Sequence, residues 1–340
     1  MTDQIVRRYR RIFSGASEPR QKARFSKHQA MYDKAAWIVR FYYMANLYFV
    51  YNQLAGLRED GLSSAVLDPL WPVIWVKWVG VEQSSLIILH ISIVAGFVGM
   101  MFWQYRSARL LVVVSQLLVA AFSNSFGSIN HGFHEWFWIG VCFLFLPARS
   151  GRGDSPDRAT RLSFLMVFSL AQALILLFYS LSGFYKVAAA AGALVQGEVG
   201  GFSPDAMAIT LANRMLQTGT DAIWAPFIIE NAWVGWPLYL GLYYIELVAI
   251  FVFLRPELHR TWGLMLIAFH FGTFLFMAIP FPPHVLINAM LFYFSPFAPD
   301  RFDWRAALRQ LPVFGLAFRP LLAEGGRAAV ATRPSIKSPT

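Results

Sequence analysis

The feature that most constrains this chain is the apolar stretch at 162–187, LSFLMVFSLAQALILLFYSLSGFYKV. About 20 apolar residues are enough for a helix to cross the hydrocarbon core of a bilayer, and this stretch is longer. At helical spacing, Gln172, Tyr179, Gly183 and Lys186 lie on one face. Polar groups at membrane depth are costly unless they face a bundle interior or a wet cavity. The stretch therefore predicts a membrane helix whose terminal lysine either anchors it or takes part in chemistry.

The rest of the chain has the composition of a membrane protein. Hydrophobic residues make up 57% of it and charged residues only 14%, whereas soluble domains carry about 25% charge. Cys142 is the only cysteine, which excludes a disulfide framework and a thiolate metal cluster. We predict an all-α fold, a polytopic transmembrane helical bundle.

The hydropathy pattern predicts about eight membrane helices. The fourth and eighth are short, at about 15 residues, and can be tilted, re-entrant or buried among the others. The predicted segments are 35–57, 84–103, 109–127, 133–147, 162–187, 232–254, 261–279 and 284–298.

The basic residues predict the orientation of these helices. With the N-terminus inside, the inner segments hold 24 of the 29 lysine and arginine residues, as the positive-inside pattern requires. Both termini are therefore expected in the cytoplasm, in a protein of the cell inner or plasma membrane. The net charge of +10 then reflects topology, and no nucleic-acid partner is needed to explain it.

Three regions follow from this topology. Residues 1–34 are predicted to form a basic cytoplasmic tail, 35–299 the transmembrane domain, and 300–340 a basic, partly disordered cytoplasmic tail. The outer segment 188–231 carries Met207, Leu211 and Met215 at helical spacing, which predicts an amphipathic helix able to lie on the outer leaflet.

Two groups of polar residues are predicted at the outer side. Lys186 can serve as a general base or substrate anchor, or it can simply extend its amine to the interface. In the outer linker, Asn130 and His131 form a candidate hydrogen-bonding pair. His131, His134 and Glu135 also suggest a metal site, but no second cluster with ligand spacing supports it.

Further polar residues lie on other predicted helices. Glu246 shares a face with Tyr239 and Tyr243, and is either functional or a structural partner of Arg40 or of a backbone group. Each histidine alone is more often a satisfied interior group than a catalyst. Their convergence on the outer half nevertheless favours one cavity. The residues concerned are His90, His270 with Thr273, and His284 with Asn288.

The order of these features resembles the HTTM family, the membrane core shared with vitamin K-dependent gamma-carboxylase. The similarity covers about residues 35–299, and each motif is short. In chain order they are VRFYY with Arg40, INHGF with Asn130 and His131, YSLSGFYK with Tyr179 and Lys186, YIELV with Glu246, FHFGTFLFMAIPF with His270, and LFYFSPF.

The resemblance implies a quinol-dependent epoxidase or carboxylase-type enzyme, of the carbon–carbon lyase or monooxygenase kind. Lys186 would be the base that deprotonates reduced vitamin K or another quinol. His131 would assist at the carbanion step, with Asn130 supporting it. Tyr179, Glu246 and His270 would line the cofactor site, and membrane lipids and a lipid-soluble quinone would be the partners.

Two departures from the family leave other functions open. The family has Trp-x-x-Gly soon after the lysine, whereas this chain has Leu194-Val195-Gln196-Gly197. The large domain that engages the propeptide does not follow residue 299, so a different substrate is expected. The alternative is a non-catalytic accessory protein that binds lipid or quinone. A transporter is disfavoured because the sequence has no internal repeat.

Overall fold

The computed structural model describes residues 18–59, 67–127, 132–148 and 156–315. Within these ranges all regular secondary structure is helical and no strand is present. The helical class expected from the sequence is confirmed. Four helices in this part of the chain are long and apolar enough to cross a membrane: Val81–Phe102, Arg106–Ser123, Arg158–Gln196 and Pro256–Met277.

The N-terminal half is built on one long helix and a helical hairpin. α1 (Glu18–Glu59) begins within the region predicted as a tail and continues through the first predicted span. After the short α2 (Val76–Val79), α3 (Val81–Phe102) and α4 (Arg106–Ser123) pack against each other, and both contact α1. Each of the three helices buries one side against its neighbours and exposes large apolar side chains on the other.

The central helix of the fold contains the stretch 162–187. α5 (His134–Phe143) packs on α6 (Arg158–Gln196), which also contacts α1. Asp157 caps the start of α6 by accepting a hydrogen bond from the Thr160 amide at 2.7 Å. At its end Gly197 adopts the left-handed conformation, with φ at 71°, which glycine reaches without steric cost.

The segment after α6, which the sequence predicts on the outer side, folds onto the bundle. It contains α7 (Ala206–Thr218), the short α8 (Ala225–Glu230) and then α9 (Ala232–Leu247). The apolar face of α7 packs against protein: Leu211 is buried with Ile228, and Met207 and Met215 pack against the same cluster. The leaflet-facing position that we considered for this helix is therefore wrong, because other helices cover its apolar face.

The C-terminal part completes the bundle with interrupted helices. α9 ends at Leu247, and two 3₁₀ turns follow, Ala249–Val252 and Pro256–Leu258. α10 (His259–Met277) then packs against α11 (Pro282–Asn288), which continues as a π-helical turn over Ala289–Tyr293.

A last short helix closes one end of the bundle. α12 (Trp304–Gln310) is held by Arg255, whose guanidinium donates to the Gln310 carbonyl at 2.8 Å. Tyr244 donates to the Pro312 carbonyl at 2.6 Å. The part of the predicted tail around α12 and Pro312 is therefore packed on the bundle, and residues 316–340 of this tail lie outside the described residues.

The core lies where α1, α5, α6, α10 and α11 meet. It is rich in aromatic rings, and Trp262, Tyr42, Phe143 and Phe168 are among its fully buried side chains. The outer surface is also apolar, with large side chains such as Trp37 and Phe184 exposed. An apolar exterior around an apolar core is the arrangement of a protein embedded in lipid.

Candidate polar site between the helices

Lys186 of α6 and Glu246 of α9 form an ion pair. The lysine Nζ lies 2.6 Å from Oε1 and 2.6 Å from Oε2 of the carboxylate. The Glu246 side chain is only 3% exposed, whereas that of Lys186 is 37% exposed. The carboxylate therefore belongs to the interior of the bundle, and the lysine reaches it from the edge.

Two small residues of α6 make this contact possible. A Cβ placed on Gly183 would lie 2.4 Å from the Leu247 amide nitrogen, so only glycine allows α9 to come this close. One turn earlier, the Ser180 hydroxyl accepts a hydrogen bond from the Ile250 amide at 2.9 Å and lies 3.3 Å from the Glu246 carbonyl. Ser180 thus supports the main chain where α9 ends.

The ion pair bears on the two roles considered for Lys186. A lysine that only extends to the interface would carry its amine away from the bundle, whereas here the amine is held by a buried carboxylate. Arg40, considered as a structural partner of Glu246, is exposed and lies over the Trp37 ring at 5.6 Å. The partner of Glu246 in this structure is Lys186.

A second cluster lies deeper, around Tyr179. Its hydroxyl oxygen is 2.5 Å from Nε2 of His270 on α10. Asn288 of α11 donates from Nδ2 to the same hydroxyl at 2.8 Å and to the His284 carbonyl at 2.9 Å. Tyr179 and His270 are each 5% exposed and Asn288 is fully buried. The cluster is therefore shielded from the surroundings by the packing of three helices.

Glu135 and His284 extend this cluster towards α5. The ring centroids of His284 and His270 are 4.8 Å apart. On its other side, Nε2 of His284 lies 3.7 Å from Oε1 of Glu135. Trp136 fixes the neighbouring backbone, because its indole N–H donates to the Pro283 carbonyl at 3.2 Å.

The two clusters are neighbours along α6. Tyr179 and Lys186 are separated by seven residues, about 10.5 Å along the helix axis. The centroid of the Phe269 ring lies 5.9 Å from the lysine Nζ. It lies 4.7 Å from the centroid of the His270 ring. The structure thus brings Lys186, Glu246, Tyr179 and His270 into one region bounded by α6, α9 and α10.

Some predicted site residues lie away from these two clusters, and others lie outside the described residues. Asn130 and His131 fall outside the described residues, so their predicted roles stay predictions. His90 is on α3, where its Nδ1 lies 2.7 Å from the Leu86 carbonyl of its own helix. Gln172 lies nearer the other end of α6, where Nε2 donates to the Leu291 carbonyl and to Ser295.

Other predicted residues support the site from a distance. Thr273 donates to the His270 carbonyl at 2.7 Å, within α10. The rings of Tyr239 and Tyr243 pack 4.9 Å apart on α9. In the described part of the chain, no group of three or more His, Cys, Asp or Glu residues is placed to hold a metal ion.

Sequence reasoning did not identify Ser180 or the pairing of Glu135 with His284. Ser180 precedes Gly183 by three residues on α6, and a serine with this spacing is a weak signal for a helix contact. The Glu135–His284 pair joins positions 149 residues apart, which no local pattern reports. Comparison with family models, curated proteins and solved structures gave no match to this chain.

Proposed function

We propose that this protein is a membrane-embedded enzyme in which Lys186 and Glu246 remove a proton from a hydroxylated, lipid-soluble substrate of quinol type. The observation that carries the proposal is the ion pair itself, with a buried carboxylate and a lysine at the edge of the bundle. It accords with the HTTM-like resemblance and its epoxidase or carboxylase-type chemistry.

We also propose the number and orientation of the membrane spans that the sequence predicts. With about eight spans, both termini in the cytoplasm and an outward-facing Lys186, 24 of the 29 lysine and arginine residues lie on the inner segments. Each of the eight predicted segments overlaps a helix, and four of these helices are long and apolar enough to cross a membrane. A cell inner or plasma membrane is the location that fits this orientation.

The pair can act as a base because its two members can share one proton. An ammonium cannot accept a proton, so Lys186 must first transfer one to Glu246, whose two oxygens are in contact with Nζ. In an apolar surrounding, a neutral amine beside a neutral carboxyl group avoids a buried carboxylate charge. The free amine then accepts the substrate proton at Nζ, and Glu246 keeps it oriented.

The residues around the pair fit a flat, hydroxylated ring. Phe269 offers an aromatic face 5.9 Å from Nζ, and the lysine is exposed enough for a ligand to reach it from lipid. A bound quinol would supply the reducing equivalents for a reaction with oxygen. The chain itself contributes orientation and removal of a proton.

The second candidate function is a non-catalytic accessory protein that binds lipid or quinone. The observation that favours it is the double contact between Nζ and the carboxylate, which neutralises both charges and can serve as a structural link between α6 and α9. The two functions differ in whether the bound molecule is consumed.

The test compares wild type, Lys186→Ala and Lys186→Arg in nanodiscs, with Lys77→Ala as the matched control. Lys77 is an exposed lysine predicted on the same side. With reduced vitamin K as the probe, wild type and Lys77→Ala are expected to consume oxygen and quinol, and both Lys186 variants are not. If quinone co-purifies with wild type but is never consumed, the accessory function is correct. Turnover by Lys186→Ala would exclude Lys186 as the base.

A further inference from the structure

The amide of Asn288 sets the direction of the hydrogen bonds in the buried cluster. Its Nδ2 lies 2.9 Å from the His284 carbonyl, which only accepts, so the group facing that carbonyl is the NH₂. The same NH₂ is 2.8 Å from the Tyr179 oxygen and donates to it. The tyrosine therefore uses its own O–H to donate to Nε2 of His270. His270 is then neutral and carries its ring proton on Nδ1.

Four atoms of this cluster have no hydrogen-bond partner within the described residues. They belong to residues that are at least nine-tenths buried. The atoms are Glu135 Oε2, His270 Nδ1, His284 Nδ1 and Asn288 Oδ1. A cluster that served only to hold helices together would pair these atoms, because each unpaired buried polar atom is destabilising. Their natural partner is water, which makes about three hydrogen bonds in buried polar sites.

The spacing of the ionisable groups fits a hydrated chain. The 3.7 Å between Nε2 of His284 and Oε1 of Glu135 is longer than a direct hydrogen bond, so a water molecule beside the pair can accept from the ring and donate to the carboxylate. The two imidazole rings stand 4.8 Å apart, each with a free Nδ1. An imidazole can accept a proton at one nitrogen and release one from the other.

We infer that Tyr179, His270, His284 and Glu135 form a water-filled proton relay from the interior of the bundle to the end at which α5 begins. This inference rests on the proposed function, for which the relay receives the proton that Lys186 has taken. The relay itself is a property of the cluster and can be tested without any substrate.

One proton moves through the relay in each cycle. The Tyr179 oxygen takes up a proton from Lys186 through water while its own proton passes to Nε2 of His270. The proton on Nδ1 of His270 leaves through water to His284, and Nε2 of His284 releases one to the Glu135 carboxylate. The lysine amine is regenerated and Glu135 becomes a carboxylic acid. Each histidine then carries its proton on the other ring nitrogen and returns to its starting tautomer by exchanging that proton with water. Glu135 then releases its proton to the surroundings.

The relay predicts a measurable exchange behaviour for a buried proton. In ¹⁵N-histidine NMR spectra of the full chain in nanodiscs, His270 is expected to be the Nδ1–H tautomer. That proton should exchange with deuterated solvent despite the burial of the ring. Glu135→Gln removes the terminal proton acceptor and should slow the exchange by about tenfold or more, since one acid–base group contributes about 10²–10⁴-fold. Glu135→Asp should restore the wild-type rate.

The controls separate the relay from a structural role. Glu230→Gln alters an exposed carboxylate of α8 and should leave the exchange unchanged. A protected Nδ1 proton in wild type, or equal rates in wild type and Glu135→Gln, would overturn the relay. Lys186→Ala is expected to abolish turnover and to leave the exchange intact. Unchanged turnover in Lys186→Ala, with the exchange behaving as expected, would therefore overturn the proposed function alone.

Discussion

Lys186 and Glu246 contact each other through both carboxylate oxygens, with Nζ 2.6 Å from each. The contact joins α6 to α9, and the two residues are 60 positions apart in the sequence. Because the glutamate is buried and the lysine is at the edge, the two members are unequal: removal of the lysine strands a buried charge, and removal of the glutamate leaves an amine that can turn outwards.

This asymmetry predicts the outcome of a double-mutant cycle. Lys186→Met is expected to destabilise the protein more than Glu246→Gln does, because only the first leaves an unpaired buried carboxylate. The double variant should recover part of the loss, with a coupling energy of about 0.5–3 kcal/mol. Thermal unfolding in detergent measures all four proteins. Additive effects would mean that the two residues do not interact.

Gly183 is predicted to be the position on α6 that tolerates substitution least. A Cβ there would lie 2.4 Å from the Leu247 nitrogen and 2.8 Å from Glu246 Cβ, so Gly183→Ala should push α9 away and cost about 1–3 kcal/mol. Gly241→Ala is the matched control, because a Cβ on that helical glycine meets nothing within 4 Å. It should stabilise α9 by about 0.5–1 kcal/mol. Equal unfolding temperatures for the two variants would contradict the contact.

Tyr179→Phe should destabilise the buried cluster while keeping its shape. Loss of the hydroxyl leaves Nε2 of His270 without a donor, which costs about 1–3 kcal/mol for a buried atom. Tyr185→Phe, at a ring that is 70% exposed, is expected to have little effect. Chemical denaturation of both variants measures the difference. A loss no larger than that of Tyr185→Phe would show that the Tyr179 hydroxyl contributes nothing.

Asp157 is predicted to make the start of α6 sensitive to acid. The hydrogen bond from Thr160 holds the pKa of the Asp157 carboxyl below its usual range. A carboxyl group whose pKa is lower in the folded than in the unfolded protein stabilises the folded state at pH values above its unfolded pKa, about 3.9. This stabilisation is lost as the pH falls through the pKa of the folded state. Asp157→Asn keeps a capping side chain and should remove this acid-dependent step. Hydrogen exchange of the first turn of α6, followed against pH, is the measurement. An unchanged pH profile in Asp157→Asn would contradict the assignment.

Much of the fold could be predicted because it depends on local patterns. The apolar stretch 162–187 lies within α6, and the lysine at its end is where helical spacing places it. The sequence did not show that α6 continues to Gln196. The alanine-rich turns after Lys186 extend the helix without being long apolar residues, so hydropathy alone marked the end too early.

The predictions that proved wrong concern contacts between segments that are distant in sequence. The sixth predicted span, 232–254, is interrupted after Leu247, where Ser180 of another helix takes over a hydrogen bond with the main chain. Hydropathy is uniform across this break and carries no sign of it. The face of α7 was predicted correctly as apolar, but hydropathy does not distinguish a surface that faces lipid from one that faces neighbouring helices.

The end of α9 also determines which molecules can separate the ion pair. Glu246 is the last residue but one of this helix, and a helix C-terminus carries a partial negative charge of roughly half an electron. A second negative charge is tolerated there only while a cation is beside it. An incoming molecule can separate the lysine from the carboxylate only if it donates a hydrogen bond to the carboxylate or carries a positive charge of its own. A hydroxylated ring can donate such a hydrogen bond and a saturated acyl chain cannot, so the end of this helix distinguishes hydroxylated molecules from the acyl chains of lipids.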